Sequence, residues 1–442
     1  MSTALGAPLP GSWPVAPLKH VTSMLNRGSA PDYVDSGPVR AISQAANQAS
    51  GLNWSRTRFH NFSGNPKSLK GHLRPNDVLI NSTGTGTLGR VGYFTGSPDG
   101  IPCMADSHVT VARAKTGELD ARFSYYWLSS RPFQDYIFSA LVVGATSQIE
   151  LNRDRLGDAP VPLPPLAEQR RIADFLDAET ARIDALAITR DAQLSALGER
   201  ELAVIGHMLS GGATSQGGQA TGWQWLPYIP ASWSVGPVYA YYSTELGKML
   251  NPQRASGDNQ RPYLRNANVH WYEIDTADMA TMNFETSEAR RYSVTAGDLL
   301  VCEGGAGVAE AAVWDGRIEE CYFQKSLHRV RQAAAIPVEW LMYWLRFAKA
   351  CGVFDAGGNL ATIPHLTGEQ LRQYRIPIPA DSETLIRETG RNIDTLAKAR
   401  ALLDRANTKL AERRQSLITA AVTGQFDVST ARGRNVTDGV TA

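Results

Sequence analysis

Cysteine is scarce in this chain: Cys103, Cys302, Cys321 and Cys351 are the only four among 442 residues. No two are spaced as C-x-x-C and no histidine pair completes a ligand set, so a structural zinc site is not expected. So few and such scattered thiols suit a reducing compartment. No apolar run approaches the ~20 residues that span a bilayer. The opening "MSTALGAPLPGSW" has neither the basic nor the apolar segment of a secretory signal. The expected location is cytoplasmic. Catalytic signatures are missing too. The only Gly-Lys pair, Gly247-Lys248, is followed by Met249, so there is no phosphate-binding P-loop. H-E-x-x-H, G-x-S-x-G and D/E-x-K do not occur, nor does the N/D-P-P-Y/F of an amino-group DNA methyltransferase.

Acidic residues are absent from one long window. Between Ser36 and Asn76 there is no Asp or Glu, while Arg40, Arg56, Arg58, Lys67, Lys70 and Arg74 all lie there. Trp54, Phe59, His60, Phe62 and His72 are interleaved. Such a window is either a solvated loop or a phosphate-facing surface with groups that reach base edges. The whole chain is nearly neutral, at +1. Residues 1–160 carry +4 and residues 212–380 carry −2. The second region must rely on local cations such as Lys248, Arg254, Arg261 and Arg265.

Hydrophobic residues make up 43%, which predicts packed cores. The chain also repeats itself. "GSWPVAPL" (11–18) answers to "ASWSVGPV" (231–238), and "RPNDVLINSTGTG" (74–86) to "TAGDLLVCEGGAG" (295–307). "YYWL" (125–128) answers to "MYWL" (342–345), and "APVPLPP" (159–165) to "RIPIPA" (375–380). A long helical stretch comes after each copy and ends on Gly211 or Gly424. The reading is two similar globules and two helices, an α/β (α+β) chain with an internal pseudo-two-fold repeat. The boundaries expected are 1–164 for the first globule, 165–211 for its helix and 212–222 for a small polar linker. The second globule takes 223–380 and its helix 381–425. A disordered tail is expected over 426–442.

The helices carry an apolar seam. Ile172, Leu176, Ile183 and Leu186 mark it in the first, and Ile393, Leu396, Leu403 and Leu410 in the second. Arg190 and Arg400 interrupt the two seams at equivalent points, where a polar residue fixes register and partner. A narrow seam cannot be buried alone, so the two helices are expected to pack antiparallel on each other, with a globule at each end.

"DVLINSTGTGTLGRVGYF" (77–94) spells G-x-G-x-x-G at Gly84, Gly86 and Gly89. A dinucleotide fingerprint must open a helix. Here strand formers Val91, Tyr93 and Phe94 come next, and the second copy has Glu310 where the third glycine would stand. A strand–loop–strand hairpin fits better, with Thr85 and Arg90 as candidate DNA contacts. A nucleotide-dependent enzyme using residues 84–89 is the alternative, and a scaffold that reads no DNA is another.

"PVPLPPLAEQRRIADFL" with its echo "IPIPADSETLIRE", the paired glycine loops and "RPYLRNANV" (261–269) resemble the specificity subunits of type I restriction–modification systems. The resemblance spans about residues 11–425. It implies two target recognition domains, each reading half of a bipartite DNA site, and antiparallel helices that set the gap. It further implies a prokaryotic, non-catalytic chain that docks two methyltransferase subunits and motor-nuclease subunits. S-adenosylmethionine, ATP and Mg would then be used in those partners, and none is bound here. Glu168 and Gln169, with the seam residues, are the docking and spacer candidates. The second copy, "ADSETLIRE", lacks the Glu-Gln pair.

Overall fold

The computed structural model describes residues 2–48, 51–84, 86–143, 149–250, 255–354 and 365–428. The chain divides into two compact units, Met1–Arg190 with Arg405–Ala442, and Asp191–Asp404.

In the first unit the strands are β1 (Thr22–Arg27), β2 (Val39–Ile42), β3 (Arg58–His60), β4 (Asp77–Asn81), β5 (Val91–Phe94), β6 (Cys103–Ala105) and β7 (Val109–Ala114). One antiparallel sheet has the order β5-β4-β7-β1. β4 is apolar from Val78 to Ile80 because both its faces are covered, and all five of its residues are buried. A second sheet runs β6-β2-β3, with β6 parallel to β2 and the short strand Tyr33–Val34 added beside β3.

The second unit repeats the plan with β8 (Tyr242–Leu246), β9 (Gln260–Leu264), β10 (Ala280–Asn283), β11 (Leu299–Cys302), β12 (Ala311–Val313), β13 (Cys321–Phe323) and β14 (Leu327–Gln332). Its first sheet, β12-β11-β14-β8, has the same order and sense. Its second, β13-β9-β10, keeps the parallel pair. The extra strand, Ser293–Val294, lies beside β13 here, at the opposite edge from its counterpart in the first unit.

The echoed motifs of the sequence turn out to be spatial partners. Val15–Pro17 pairs with Pro160–Pro162, and Ser234–Pro237 with Arg375–Ile378. Each pairing closes a globule by joining a strand near its start to its last strand.

Four helices frame the functional surfaces: α1 (Ala121–Ser129), α2 (Leu166–Ser210), α3 (Val338–Ala350) and α4 (Ser382–Val422). Asp120 caps α1 by accepting from the Arg122 and Phe123 amides. Each unit takes a part of both long helices. In the first, Ile172, Leu176 and Ile183 of α2 share a core with Leu417, Ile418 and Val422 of α4, and with Val78, Phe123 and Trp127. Asp184 pairs with Arg414 at 3.1 Å, and Arg190 donates to the Ala406 carbonyl at 2.8 Å. One residue number rises as its partner's falls, so the segments are antiparallel. In the second unit Ile205, Met208 and Leu209 share a core with Ile393, Val301, Trp340 and Trp344, and Arg400 lies 3.8 Å from Glu201.

Both long helices end on a glycine in the left-handed region, Gly211 (φ 56°) and Gly424 (φ 68°). The reason is close approach as well as turn geometry. A Cβ on Gly211 would lie 2.6 Å from Pro230 and 3.0 Å from Trp233. One on Gly424 would lie 2.5 Å from Pro10 and 3.0 Å from Trp13. The duplicated tryptophan therefore receives the end of the helix belonging to the other repeat.

Candidate nucleic-acid interface

The glycine loop resolves first. β4 and β5 are its two arms, paired Asp77 to Phe94 through Ile80 to Val91, and no helix opens behind it. The geometry that holds a pyrophosphate on a helix N-terminus is therefore absent at this loop. Gly84, Gly86 and Gly89 all have positive φ, at 94°, 81° and 78°. They shape a turn. The second loop is one residue shorter, and this corrects the alignment of the repeats. Gly89 donates its amide to the Asn81 carbonyl, while Ala309 donates to Cys302. Ala309, at φ 66°, stands where Gly89 does, and Glu310 faces the position of Arg90.

A buried ion pair fixes the base of each hairpin. Asp77 is fully buried and accepts two bonds from Arg113, both at 2.7 Å, and one from the Arg74 amide at 2.8 Å. Asp298 does the same with Arg331, at 2.6 and 2.8 Å, and with the Thr295 amide at 2.8 Å. Each aspartate heads or directly precedes its strand, and the arginine comes from the neighbouring strand β7 or β14. The guanidinium fork matches the carboxylate, which gives the pair its geometry.

The candidate cations divide sharply between the units. In the first, Arg56, Arg58, Lys67, Lys70 and Arg74 are exposed. None has a carboxylate partner among the described residues. Arg58 lies over the Tyr33 ring, 4.1 Å from its centroid, and His60 stacks on Phe62 at 5.7 Å. These residues come from β3 and the turns on either side of it. Exposed cations interleaved with aromatic rings are of the type that contacts phosphates and bases. Arg40 does not join them. It is paired with Asp99, donates to Thr57 at 2.7 Å and lies over Phe59. Arg90 is also held internally, by the Asn47 carbonyl and Gln48 Oε1 at 3.2 and 3.0 Å. Thr85 lies outside the described residues.

In the second unit the sequence-selected cations are engaged. Lys248 is 4% exposed; its Nζ donates to the Asn283 carbonyl at 2.6 Å and meets Glu288 at 2.5 Å. It is a core brace, because a buried ammonium must be paired. Arg261 pairs with Glu320 at 2.5 Å and Arg265 with Asp278 at 2.7 Å. Arg254 lies outside the described residues, as do residues 429–442 of the expected tail. Sequence reasoning missed Arg290 and Lys325, which are exposed and have no carboxylate partner among the described residues. Each stands within a few residues of acids that conceal it in a charge count, so only the fold separates them.

The helix candidates also sort by burial. Gln169 is 1% exposed; it accepts from the Asp120 amide at 2.8 Å and donates to the carbonyls of Glu118 and Pro164. It ties α2 to the start of α1, so its role is bracing inside the unit rather than presenting a docking surface. Ile172, Leu176, Ile183 and Ile393 are likewise spent in the cores. Glu168, Leu396, Leu403 and Leu410 are half-buried, and Leu186 is 46% exposed.

Burial pushes the Cys103 thiol up to about 11 and those of Cys302 and Cys321 to about 12, so none is a thiolate nucleophile near neutral pH. Among the described residues no group of His, Cys, Asp and Glu is placed to hold a metal, and no helix is long and apolar enough to cross a membrane.

Residues 61–196 match the family described as "Type I restriction modification DNA specificity domain". No curated protein matches the chain. A solved structure described as the "structural basis underlying complex assembly and conformational transition of the type I R-M system" contains a similar chain. The identity is 15%, with 95% of this chain and 99% of that one covered and a TM-score of 0.67. The HsdS subunit from Thermoanaerobacter tengcongensis is 16% identical over 96% of this chain and all of that one, with a TM-score of 0.47. The S subunit from M. genitalium is 14% identical over 95% of this chain and 98% of that one, with a TM-score of 0.40. Residues 61–196 thus resemble a type I restriction modification DNA specificity domain, and the chain as a whole shares the fold of the similar chain in that type I R-M structure.

Proposed function

We propose that each unit reads one half of a bipartite duplex site, and that α2 and α4 set the gap and dock two methyltransferase subunits. The observation that carries this is the duplicated frame. One chain holds two units with the same four-strand order and the same buried Asp–Arg pair, yet with different surfaces. Two different words with one spacing are what such a chain suits. DNA rises ~3.4 Å per base pair, so helix length converts into base-pair spacing. In this reading S-adenosylmethionine, ATP and Mg act in the methyltransferase and motor-nuclease partners, and this chain supplies positioning alone.

Adenine-methylation mapping of cells with and without the protein tests the reading. The expected result is a motif of two short words separated by a fixed gap that disappears with the protein. Matched seven-residue insertions in α2 and α4 should change the gap and leave both words intact. A single uninterrupted motif, or an unchanged gap, would refute it.

A further inference from the structure

A cleft of about 650 Å³ opens in the first unit where the turn after β7 meets the first turns of α1 and α2. Its cations are Arg74, Arg113, Lys115, Arg122 and Arg170. Two are neutralised: Arg113 by Asp77, and Arg122 by Asp174 and Asp177, each contact at 2.7 Å. Lys115 donates to the His20 carbonyl and has no carboxylate partner among the described residues. Arg74 and Arg170 are exposed and have none either. Of the two acids in the lining, Asp120 is used as the cap of α1, and Glu118 remains. The lining itself therefore carries five cations against two acids, and Arg74, Lys115 and Arg170 are the three with no carboxylate partner among the described residues.

That charge continues into the basic surface around β3. Arg74 belongs to the acid-free window, and Lys67, Arg74 and Arg113 all act on His72. Burial first, and those three cations after it, hold the imidazole below its ordinary range. Three of the five cations have no equivalent in the second unit. The paired strands and helix starts put Thr295, Ala333 and Glu339 where the first unit has Arg74, Lys115 and Arg122.

We propose that this cleft holds a backbone phosphate of duplex DNA, a sequence-independent anchor that the first unit has and the second lacks. The inference rests on the proposed DNA-reading function. Two forked guanidinium groups and an ammonium suit a phosphate, which accepts bidentate bonds. A docked acidic protein segment would want an apolar, desolvated centre as well. Here Leu119 is committed to the unit's own core, and the Tyr93 hydroxyl is tied to Asn76 at 2.8 Å.

The test uses the complex assembled with its methyltransferase partner, carrying Arg74→Ala and Arg170→Ala together. Affinity is measured from 50 to 200 mM salt on a duplex containing the mapped site and on a scrambled duplex. Loss of one phosphate contact lowers the slope of log affinity against log salt by about 0.9. The affinity loss should be equal for both duplexes, the methylated motif unchanged, and Arg74→Lys with Arg170→Lys should retain most of the slope. An unchanged slope overturns the proposal. So does a loss confined to the specific duplex, which would mean base readout. Loss of the methyltransferase subunit from the complex overturns it in favour of a protein partner. A wild-type complex that ignores DNA would sink the functional reading itself.

Discussion

The two units share a frame and differ in how they use charge. Sheet order, the strand clamp at the base, the hairpin and the buried Asp–Arg pair are common to both. Arg90 in one hairpin has Glu310 at the equivalent position of the other, and the extra strand of the second sheet has changed edges. Five exposed cations around β3 have no carboxylate partner among the described residues, whereas in the second unit Arg261 and Arg265 are each held by one and Arg290 and Lys325 are exposed without one. What the units keep is buried and geometric. What they vary is on the surface, where a substitution costs the fold little. Under the proposed function, that division suits halves that read different words.

The largest effect should come from breaking the shared frame. Asp77→Ala leaves the Arg113 guanidinium, 19% exposed, without its counter-charge and frees the Arg74 amide. Removing one partner of such a pair costs about 3 kcal/mol. Asp298→Ala should cost less, because Arg331 is 36% exposed and water can replace the lost carboxylate. Urea denaturation of the two variants measures both. A larger loss at Asp298 would mean that exposure of the arginine does not set the cost.

Next comes the difference in surface charge. Replacing Arg56, Arg58 and Lys67 together by alanine should weaken DNA binding by the assembled complex on the order of tenfold and flatten its salt dependence. Replacing Arg261 and Arg265 should do less, since each already spends its charge on Glu320 or Asp278. Titrations at two salt concentrations decide this, and equal losses would erase the contrast between the units.

The common frame was legible in the sequence because it repeats. The tryptophan, aspartate, glycine-loop and proline motifs recur in order, and the fold places them as partners or as equivalent elements. Helix starts at Leu166 and Ser382 sit close behind the Pro165 and Asp381–Ser382 signals. The engagement of single charges was not legible. Arg40 meets an acid 59 residues away and Lys248 one 40 residues away, so only the folded chain shows them spent. Gln169 misled for a related reason. It stands beside exposed arginines on a helix, yet it points to carbonyls of another segment. The one-residue offset in the second loop was hidden because a left-handed alanine carries no sequence signal.

A pH dependence should separate the units further. His328 on β14 is 1% exposed and 2.7 Å from the Leu366 carbonyl, and desolvation lowers its affinity for a proton. Its register counterpart on β7 is Thr110, bonded to Ser82 at 2.5 Å, which does not titrate. The native imidazole stays neutral as pH falls through 6.5, where the unfolded residue takes up its proton. The unfolded state then binds more protons, so stability drops below that pH and is fully present above it. Hydrogen exchange at pH 7.5 and 5.5 should show β14 losing protection relative to β7. His72 in the first unit shifts in the same direction but is only half-buried, so a greater loss in β7 would overturn the assignment.

The smallest and sharpest comparison lies in the hairpins. Gly89 and Ala309 adopt the same left-handed conformation, at φ 78° and 66°. A Cβ on Gly89 would sit 3.0 and 3.2 Å from Ile137, so the isoleucine must give way, while Ala309 already has room for its methyl. Gly89→Ala should therefore cost up to about 1 kcal/mol, from backbone strain and crowding combined. Ala309→Gly relieves the strain but frees the unfolded chain, and these terms oppose each other, leaving a change within about 0.5 kcal/mol. Paired thermal melts measure the asymmetry. If both substitutions proved equally costly, the loops would be held by backbone geometry alone, and the Ile137 contact would play no part in requiring glycine at position 89.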